Sequence, residues 1–400
     1  MPASTAKGLL GADTQNALER ARALPTEELL ARIDGSGLRG RGGAGHSLAG
    51  KLRAVRRGAE ATGRAPIVIV NAYDANPGSP LSRTLIARSA GEVLRGMAIA
   101  AHALGATEAI VYLHPEAQET RTTVERALPR HTDGLKVDIA QGPGTFMGGE
   151  ESALLNVLES KRAMARQRPP YPAEQGYQLR PTLVSSAETL AWLPRIVTEG
   201  AAADTKLVSV TGAVASAGVY EVTLGTTLGQ VLERAGGARS LKAIHVGGPT
   251  GGILAAARSD TRFDFDDLKA AGTHMGSAQV RAIANDTCIV REAGKLFAYL
   301  AKETCAICVP CRVGTKRVQG ILDGVTSSLG RESDLAWLDE LGTHMEKFSL
   351  CGFGITAPSI LRTTMREFAD EYRAHIVDRT CPTGTCTTLR SRRYETMVQP

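Results

Sequence analysis

Three cysteines spaced three residues apart constrain this chain more than any other stretch: Cys305, Cys308 and Cys311, within Glu303-Thr304-Cys305-Ala306-Ile307-Cys308-Val309-Pro310-Cys311-Arg312. A short loop with that spacing turns three sulfurs inward, which is what an iron–sulfur cube needs at three of its four corners. The fourth corner has to come from elsewhere. Cys351, the next cysteine downstream, stands in the glycine-flanked turn Ser349-Leu350-Cys351-Gly352-Phe353-Gly354 between two helical patterns. Two other readings stay open. A zinc site generally shows paired C-x2-C units rather than a triplet and a distant single, and free cysteines also serve as small core hydrophobes.

A chain of 400 residues with 43% hydrophobic content has room for two or three domains with buried cores. Aromatic residues make up only 4%, so a planar cofactor has to be held mainly by backbone and polar groups. The net charge of +6 is scattered in Arg39/Arg41, Arg53/Arg56/Arg57, Lys316/Arg317 and Arg390/Arg392/Arg393. Such clusters read as solvated faces or as a docking surface for an acidic protein such as a ferredoxin. No nucleic-acid-binding motif accompanies them. Seven cysteines, four in a metal-type arrangement, fit a reducing cytoplasm better than a disulfide framework. The N-terminal run lacks a basic-then-apolar signal pattern, and no unbroken apolar stretch has membrane-spanning length.

Along the chain, residues 14 to 33 carry helical periodicity and end at Asp34-Gly35-Ser36-Gly37. The run Gly37-Leu38-Arg39-Gly40-Arg41-Gly42-Gly43-Ala44-Gly45-His46-Ser47-Leu48-Ala49-Gly50-Lys51 follows. Its glycines, with Arg41 and Lys51, allow backbone N–H groups to approach anionic oxygen, and Ser47 is placed to cap the next helix. A plain flexible loop is the alternative. Residues 66 to 142 alternate strand and helix patterns, which predicts parallel β-α-β packing with strands at 66–70, 108–113 and 135–139. Ligands in such sheets sit beyond the carboxyl ends of the strands. The loops 71–78 and 142–151 leave the first and third strands there and are expected to face one another across a cleft. Glu150 and Glu151 open a helix, where dipole complementation alone would account for acids. Residues 166 to 182 are proline-rich and read as a connection laid over the cleft. A small β-grasp-like unit is expected from 205 to 256, then helices throughout 289–376, with the cysteine loop between two of them.

In this order the motifs resemble those of the flavoprotein F subunit through which NADH electrons enter respiratory complex I, and of its relatives in NAD-linked hydrogenases and formate dehydrogenases. The glycine run resembles that family's GRGGAGFPTGLKW, residues 71 to 83 its NADEGEPGTxKDR, Gly144 to Glu151 its GAYICGEE, Pro181 to Thr189 its PTxVNNVET, and Glu303 to Arg312 its ESCGKCTPCR. The resemblance implies an α/β fold: a Rossmann-like domain holding FMN and NADH over residues 1–200, a β-grasp-like SLBB domain over 201–285, and a four-helix [4Fe-4S] domain over 286–378, followed by a cysteine-containing tail, 379–400. It implies FMN, a [4Fe-4S] cluster and NAD(H) as cofactors. The implied FMN or nicotinamide contacts are Gly40, Arg41, Gly42, Gly43, Gly45, Lys51, Asn71, Asp74, Gly149, Glu150, Glu151, Val184, Ser185, Ser186 and Thr189. Tyr171 is left to stack on adenine, and either Glu150 or Glu151 is expected to hold a nicotinamide carboxamide. The implied cluster ligands are Cys305, Cys308, Cys311 and Cys351. The implied partners are an iron–sulfur subunit or ferredoxin, within a multi-subunit redox complex that reaches the membrane through other chains.

Several positions depart from the family pattern. His46 and Leu52 stand where the family has Phe and Trp, Tyr73, Asp74 and Asn76 replace Asp, Glu and Glu, Phe146 replaces Tyr, and Ser185-Ser186 replaces Asn-Asn. Loss of one adenine stack costs about 1–3 kcal/mol by analogy with bases stacked on protein aromatics. Besides an NADH-oxidising subunit, the pattern therefore admits a nicotinamide-independent conduit carrying electrons between a ferredoxin and a membrane or cytochrome partner, and a scaffold with an empty flavin cleft. Cys381-Pro382-Thr383-Gly384-Thr385-Cys386 resembles a short C-terminal segment of the hydrogenase-type relatives. Two cysteines do not complete a four-ligand site, so Cys288 or a partner chain contributes, or both are plain thiols. Cys288 itself reads as a core residue.

Overall fold

The computed structural model describes residues 8–386, so Arg390, Arg392, Arg393 and the end of the expected tail lie outside the described residues. The chain divides into two compact units: residues up to 208 with Glu221–Leu224, and Ser209–Tyr220 with residues from 225 onward.

The first unit begins with α1 (Ala17–Arg22) and α2 (Thr26–Gly35). The single helix expected over 14–33 is broken because Pro25, at φ −54° and ψ 141°, is extended and starts α2 afresh. The glycine-rich run leads into α3 (Leu48–Thr62), whose N-cap Ser47 accepts a hydrogen bond from Gly50 N at 3.2 Å. Then come β1 (Ile67–Ala72), α4 (Leu81–Leu104), β2 (Glu108–Leu113), α5 (Gln118–His131), β3 (Lys136–Gln141), α6 (Glu151–Leu158), α7 (Pro172–Gln175), β4 (Thr182–Ser186), α8 (Ala187–Ala191) and α9 (Leu193–Glu199). The continuous apolar runs of β1 and β2 are buried, as strands covered on both faces require.

All three pairings in this sheet are parallel, in the order β3-β2-β1-β4. The chain leaves β1 toward β2 on one side and returns through β4 on the other. The crevice between the carboxyl ends of β1 and β4 is thus the topological switch point, the place where open α/β sheets bind ligands. Sequence reading did not assign β4 as a strand, and β4 is what creates that crevice.

The chain continues with β5 (Thr205–Gly212), β6 (Gly218–Thr223), α10 (Leu228–Arg234), β7 (Leu241–Val246), β8 (Gly252–Ala255), α11 (Phe265–Ala270) and β9 (Gln279–Ala284). These strands form a five-stranded mixed sheet, β6-β5-β9-β7-β8. In the second unit β9 runs parallel to β5 from Ser209 to Gly212 and antiparallel to β7. A helical region follows: α12 (Ile289–Glu303), α13 (Val309–Thr326), α14 (Ser333–Phe348), α15 (Gly352–Thr356), α16 (Ser359–Glu367) and α17 (Ala369–Ile376). Sheet and helices share one core, in which Ala243, Ile253 and Ile283 pack with Ile289, Leu296 and Phe368. Polar ties reinforce it: Ile253 N donates to Thr363 Oγ1 at 2.9 Å, and Ile289 N to Glu371 Oε2 at 2.9 Å. Among the described residues no helix is long and apolar enough to cross a membrane.

Candidate functional site

At the switch point β1 and β4 place Asn71 and Ser186 side by side in register. Asn71 Nδ2 donates to Gly149 O at 2.9 Å, which fixes the 142–151 loop against the end of β1. The glycine-rich run comes in from the other side. Arg41 N donates to Thr189 Oγ1 at 2.8 Å, Thr189 Oγ1 lies 2.7 Å from Ser186 Oγ, and a Cβ on Gly42 would sit 3.7 Å from Ser186 Cβ. Gly43 and Gly45 have φ of 111° and 68°, a conformation that glycine adopts freely, so the run bends sharply over the strand ends. Lys51, one turn into α3, donates from Nζ to Val184 O at 2.9 Å and to Glu151 Oε1 at 2.6 Å. Three loops and a lysine expected at one cleft are thereby brought together.

Two of the acids there already have structural tasks. Glu150 is the N-cap of α6, accepting from Ser152 N at 2.9 Å, Ala153 N at 2.8 Å and Ser152 Oγ at 2.6 Å. Its other oxygen receives Arg168 Nη2 at 2.9 Å. Glu151 is held by Lys51 and by Arg168 Nη2 at 3.3 Å. Arg168 belongs to the proline-rich connection, and a Cβ on Gly58 of α3 would lie 2.1 Å from Ala173 O, so that connection lies tightly against both α6 and α3.

The departures from the family pattern take on a physical meaning. Tyr73 is buried beneath the 142–149 loop, stacks on Tyr112 with centroids 5.1 Å apart, and donates from its hydroxyl to Thr145 O at 3.0 Å. Asp74, with a side chain 6% exposed, accepts from Ser82 N at 2.9 Å and Arg83 N at 2.8 Å and so caps the start of α4. Burial pushes its carboxyl above the usual range, against those two N–H donors. Leu52 is buried in α3, and Tyr171 stands 54% exposed as the N-cap of α7. Arg41 also departs from expectation. Its guanidinium is buried and donates through Nη2 to Ala203 O at 2.7 Å, so the cation expected at a phosphate is tied down in the core while its backbone N–H joins the loop to Thr189.

Behind this corner lies a pair that sequence reading passed over. Lys206 is fully buried and its Nζ donates to Glu188 Oε2 and, at 2.7 Å, to Leu207 O. Glu188 Oε1 accepts from Leu207 N at 2.8 Å. Glu188 directly precedes Thr189, the residue that holds Arg41 N. Burial pulls the Lys206 ammonium below the usual lysine range, and the Glu188 carboxylate opposes that shift.

In the second unit the thiol triplet occupies the joint between α12 and α13. Cys308 is the N-cap of α13, Pro310 sits in its first turn, and Ala306 takes φ 63° so that the loop reverses. Thr304 Oγ1 lies 3.2 Å from Cys311 Sγ. Cys311 is buried, and burial, with Cys308 and Cys305 beside it, pushes its thiol up to about 11 despite the Thr304 hydroxyl. Cys351 is the N-cap of α15, and a Cβ on Gly354 would lie 3.0 Å from Cys311 Cβ, which brings its turn against the triplet. None of the seven cysteines is in a disulfide. Soft sulfur donors on one loop, with a fourth cysteine turn packed against it, fit an iron–sulfur cluster by donor chemistry. The switch-point crevice, with glycine-rich backbone, Asn71, Ser186 and Lys51 at its rim, fits a flavin nucleotide.

Comparison with known proteins points the same way. The Nuo51 FMN-binding domain family matches residues 33–195, the SLBB domain residues 207–254, and the NADH-ubiquinone oxidoreductase-F iron-sulfur binding region residues 291–375. The NADP-reducing hydrogenase subunit HndC of Solidesulfovibrio fructosivorans is 33% identical over 93% of this chain and 81% of its own length. An NADH-quinone oxidoreductase F subunit of Rhizobium meliloti is 33% identical over 89% of this chain and 90% of its own. A crystal structure of NAD+-reducing [NiFe]-hydrogenase in the H2-reduced state superposes with a TM-score of 0.84 at 30% identity, covering 97% of this chain and 69% of that one.

Proposed function

This chain belongs to the family of the NADH-quinone oxidoreductase F subunit and the corresponding subunits of NAD-reducing hydrogenases, and from that premise we propose that it takes hydride from a reduced nicotinamide in the β1/β4 crevice and passes the electrons on through a cluster held by Cys305, Cys308, Cys311 and Cys351. The observation that carries the reading is the convergence at one switch point of Asn71, Ser186, the glycine-rich run and the Lys51–Glu151 pair. Bound FMN converts a two-electron hydride transfer into single electrons, and an iron–sulfur cluster accepts them one at a time.

The chain's own groups bind and orient. The bent backbone at Gly40, Gly42, Gly43 and Gly45 receives anionic phosphate oxygen, with Asn71, Gly149, Val184, Ser185, Ser186 and Thr189 lining the flavin side. Lys51 places positive charge beside that crevice. Glu150 holds Arg168 and the proline-rich connection in place. Glu151 is the acid left to meet a nicotinamide carboxamide, and Tyr171 the ring left to meet adenine. The exposed rim around the triplet carries Ile307, Val309, Val313, Ile355 and Phe348 beside exposed Arg312, Lys316 and Arg317. An acidic iron–sulfur protein fits that surface, within a multi-subunit complex on the cytoplasmic side.

Anaerobic titration of the reconstituted holoprotein tests the reading: NADH bleaches the flavin rapidly. A second reading, a conduit that does without nicotinamide, is favoured by Leu52, which is buried in α3 where the family pattern has Trp. Bleaching by reduced ferredoxin but not by NADH selects it, and a protein without flavin refutes both.

A further inference from the structure

One cluster in the second unit has no part in flavin or triplet chemistry. Cys288, His375, Cys381 and Cys386 bring three Sγ atoms and one imidazole nitrogen within 4.8 Å of one another, and all but Cys381 are buried. Cys386 Sγ lies 3.7 Å from Cys288 Sγ, and His375 Nε2 lies 3.4 Å from Cys288 Sγ and 3.5 Å from Cys386 Sγ. A tetrahedral ion with bonds of about 2.3 Å to sulfur and about 2.05 Å to nitrogen sets donor–donor edges of about 3.8 Å for S···S and about 3.6 Å for S···N. The three edges match that tetrahedron without rearrangement.

The surroundings prepare the donors. His375 Nδ1 lies 2.7 Å from Glu371 O, a carbonyl that can only accept, so Nδ1 carries the proton and Nε2 turns its lone pair toward the sulfurs. Cys288 is the N-cap of α12, and its sulfur accepts from Arg291 N at 3.4 Å, which ties it to the first turn of that helix. Arg291 Nη1 also donates to Thr385 O at 2.6 Å, pinning the turn that carries Cys381 and Cys386. A two-iron cluster would spread its ligands over two metals, whereas these four donors enclose the space of one ion. Three cysteines and one histidine with no open position are a structural zinc set. We propose that Cys288, His375, Cys381 and Cys386 bind a single zinc ion in a closed site that clasps the turn after α17 to the first turn of α12, bracketing the helices that carry the thiol triplet.

The test uses the full-length holoprotein purified anaerobically. Metal analysis of the wild type is expected to give about one zinc per chain in addition to iron, and zinc K-edge X-ray absorption a shell of three sulfurs and one nitrogen. Cys381→Ser, at the half-exposed ligand, is expected to lower zinc at least tenfold while iron and flavin contents stay unchanged. Wild-type protein without zinc after anaerobic zinc supplementation, zinc unchanged in Cys381→Ser, iron lost in step with it, or a Cys288–Cys386 disulfide in the protein as isolated would each overturn the proposal. The absorption measurement needs no variant, so a misfolded substitution does not shield the claim.

Discussion

Replacing Glu188 by Gln isolates the buried pair behind the flavin corner. The amide keeps an oxygen for Leu207 N, and its shape is nearly that of the carboxylate, so the change removes charge and little else. Lys206 is then left without a counter-ion at 0% exposure. Stranding one partner of a buried ion pair costs roughly 3–5 kcal/mol. The lysine can escape by losing its proton, which at pH 7 costs about 4.6 kcal/mol from a reference pKa of about 10.4. The two routes agree, and the second sets a ceiling. For a unit of this size, about 2–4 °C per kcal/mol places the loss at roughly 6 to 18 °C in the melting of the first unit. The ceiling also has a pH signature. A lysine whose folded pKa lies below its unfolded one regains stability as pH rises, so at pH 9 the penalty shrinks to about 2 kcal/mol. Calorimetry of wild type, Glu188→Gln and Glu188→Gln/Lys206→Met at both pH values measures all of this, the double variant recovering most of the loss. A penalty below about 1 kcal/mol at pH 7, or a double variant no more stable than the single, would refute the reasoning.

Cys351→Ser is expected to remove or reshape the cluster while flavin stays bound; an unchanged cluster EPR spectrum disproves the ligand assignment. Gly58→Ala gains up to about 1 kcal/mol in helix propensity but drives a methyl into Ala173 O, with a net loss of about 1–3 kcal/mol and loosening of the proline-rich connection, read by melting and by limited proteolysis there. His245 and His274 are held down to about 3 and about 4 by burial. Both folded values lie below the unfolded one, so the unfolded state takes up protons first and stability falls as pH drops below about 6.5, by about 2 kcal/mol per histidine at pH 5. Melting of the second unit at pH 7 and 5 checks this, and a pH-independent melt refutes it. Lys51→Met is expected to lower affinity for flavin or nicotinamide at least fivefold in equilibrium titration, with the fold intact by circular dichroism.

Strands and helices with strong apolar patterns were legible in the sequence, and so was the thiol triplet, because local spacing encodes them. Thr182–Ser186 was not read as a strand. It is short and ends in serines, and its pairing with β1 is decided by partners a hundred residues away. Tertiary packing also hid the fate of Tyr73, which by resemblance belongs to a nicotinamide pocket but stacks in the core on Tyr112, thirty-nine residues further on. Nothing in the sequence paired Glu188, inside the 181–189 motif, with Lys206, inside a strand run; packing joins them. His375 gave no signal beside Cys381 and Cys386, since a lone histidine on a helix has many uses and Cys288 lies far upstream. Its six-residue lead on Cys381 was the hint available.

The shared core of Ala243, Ile253, Ile283, Ile289, Leu296 and Phe368 limits how this protein can be taken apart. A cut near residue 286, where the sheet ends and the helices begin, would tear open one apolar interior and strand two backbone donors of β8, Ile253 N and Ala255 N, now answered by Thr363 and Glu367. The iron–sulfur bundle is therefore not a portable cartridge: recombination, whether by evolution or in the laboratory, has to move sheet and bundle together.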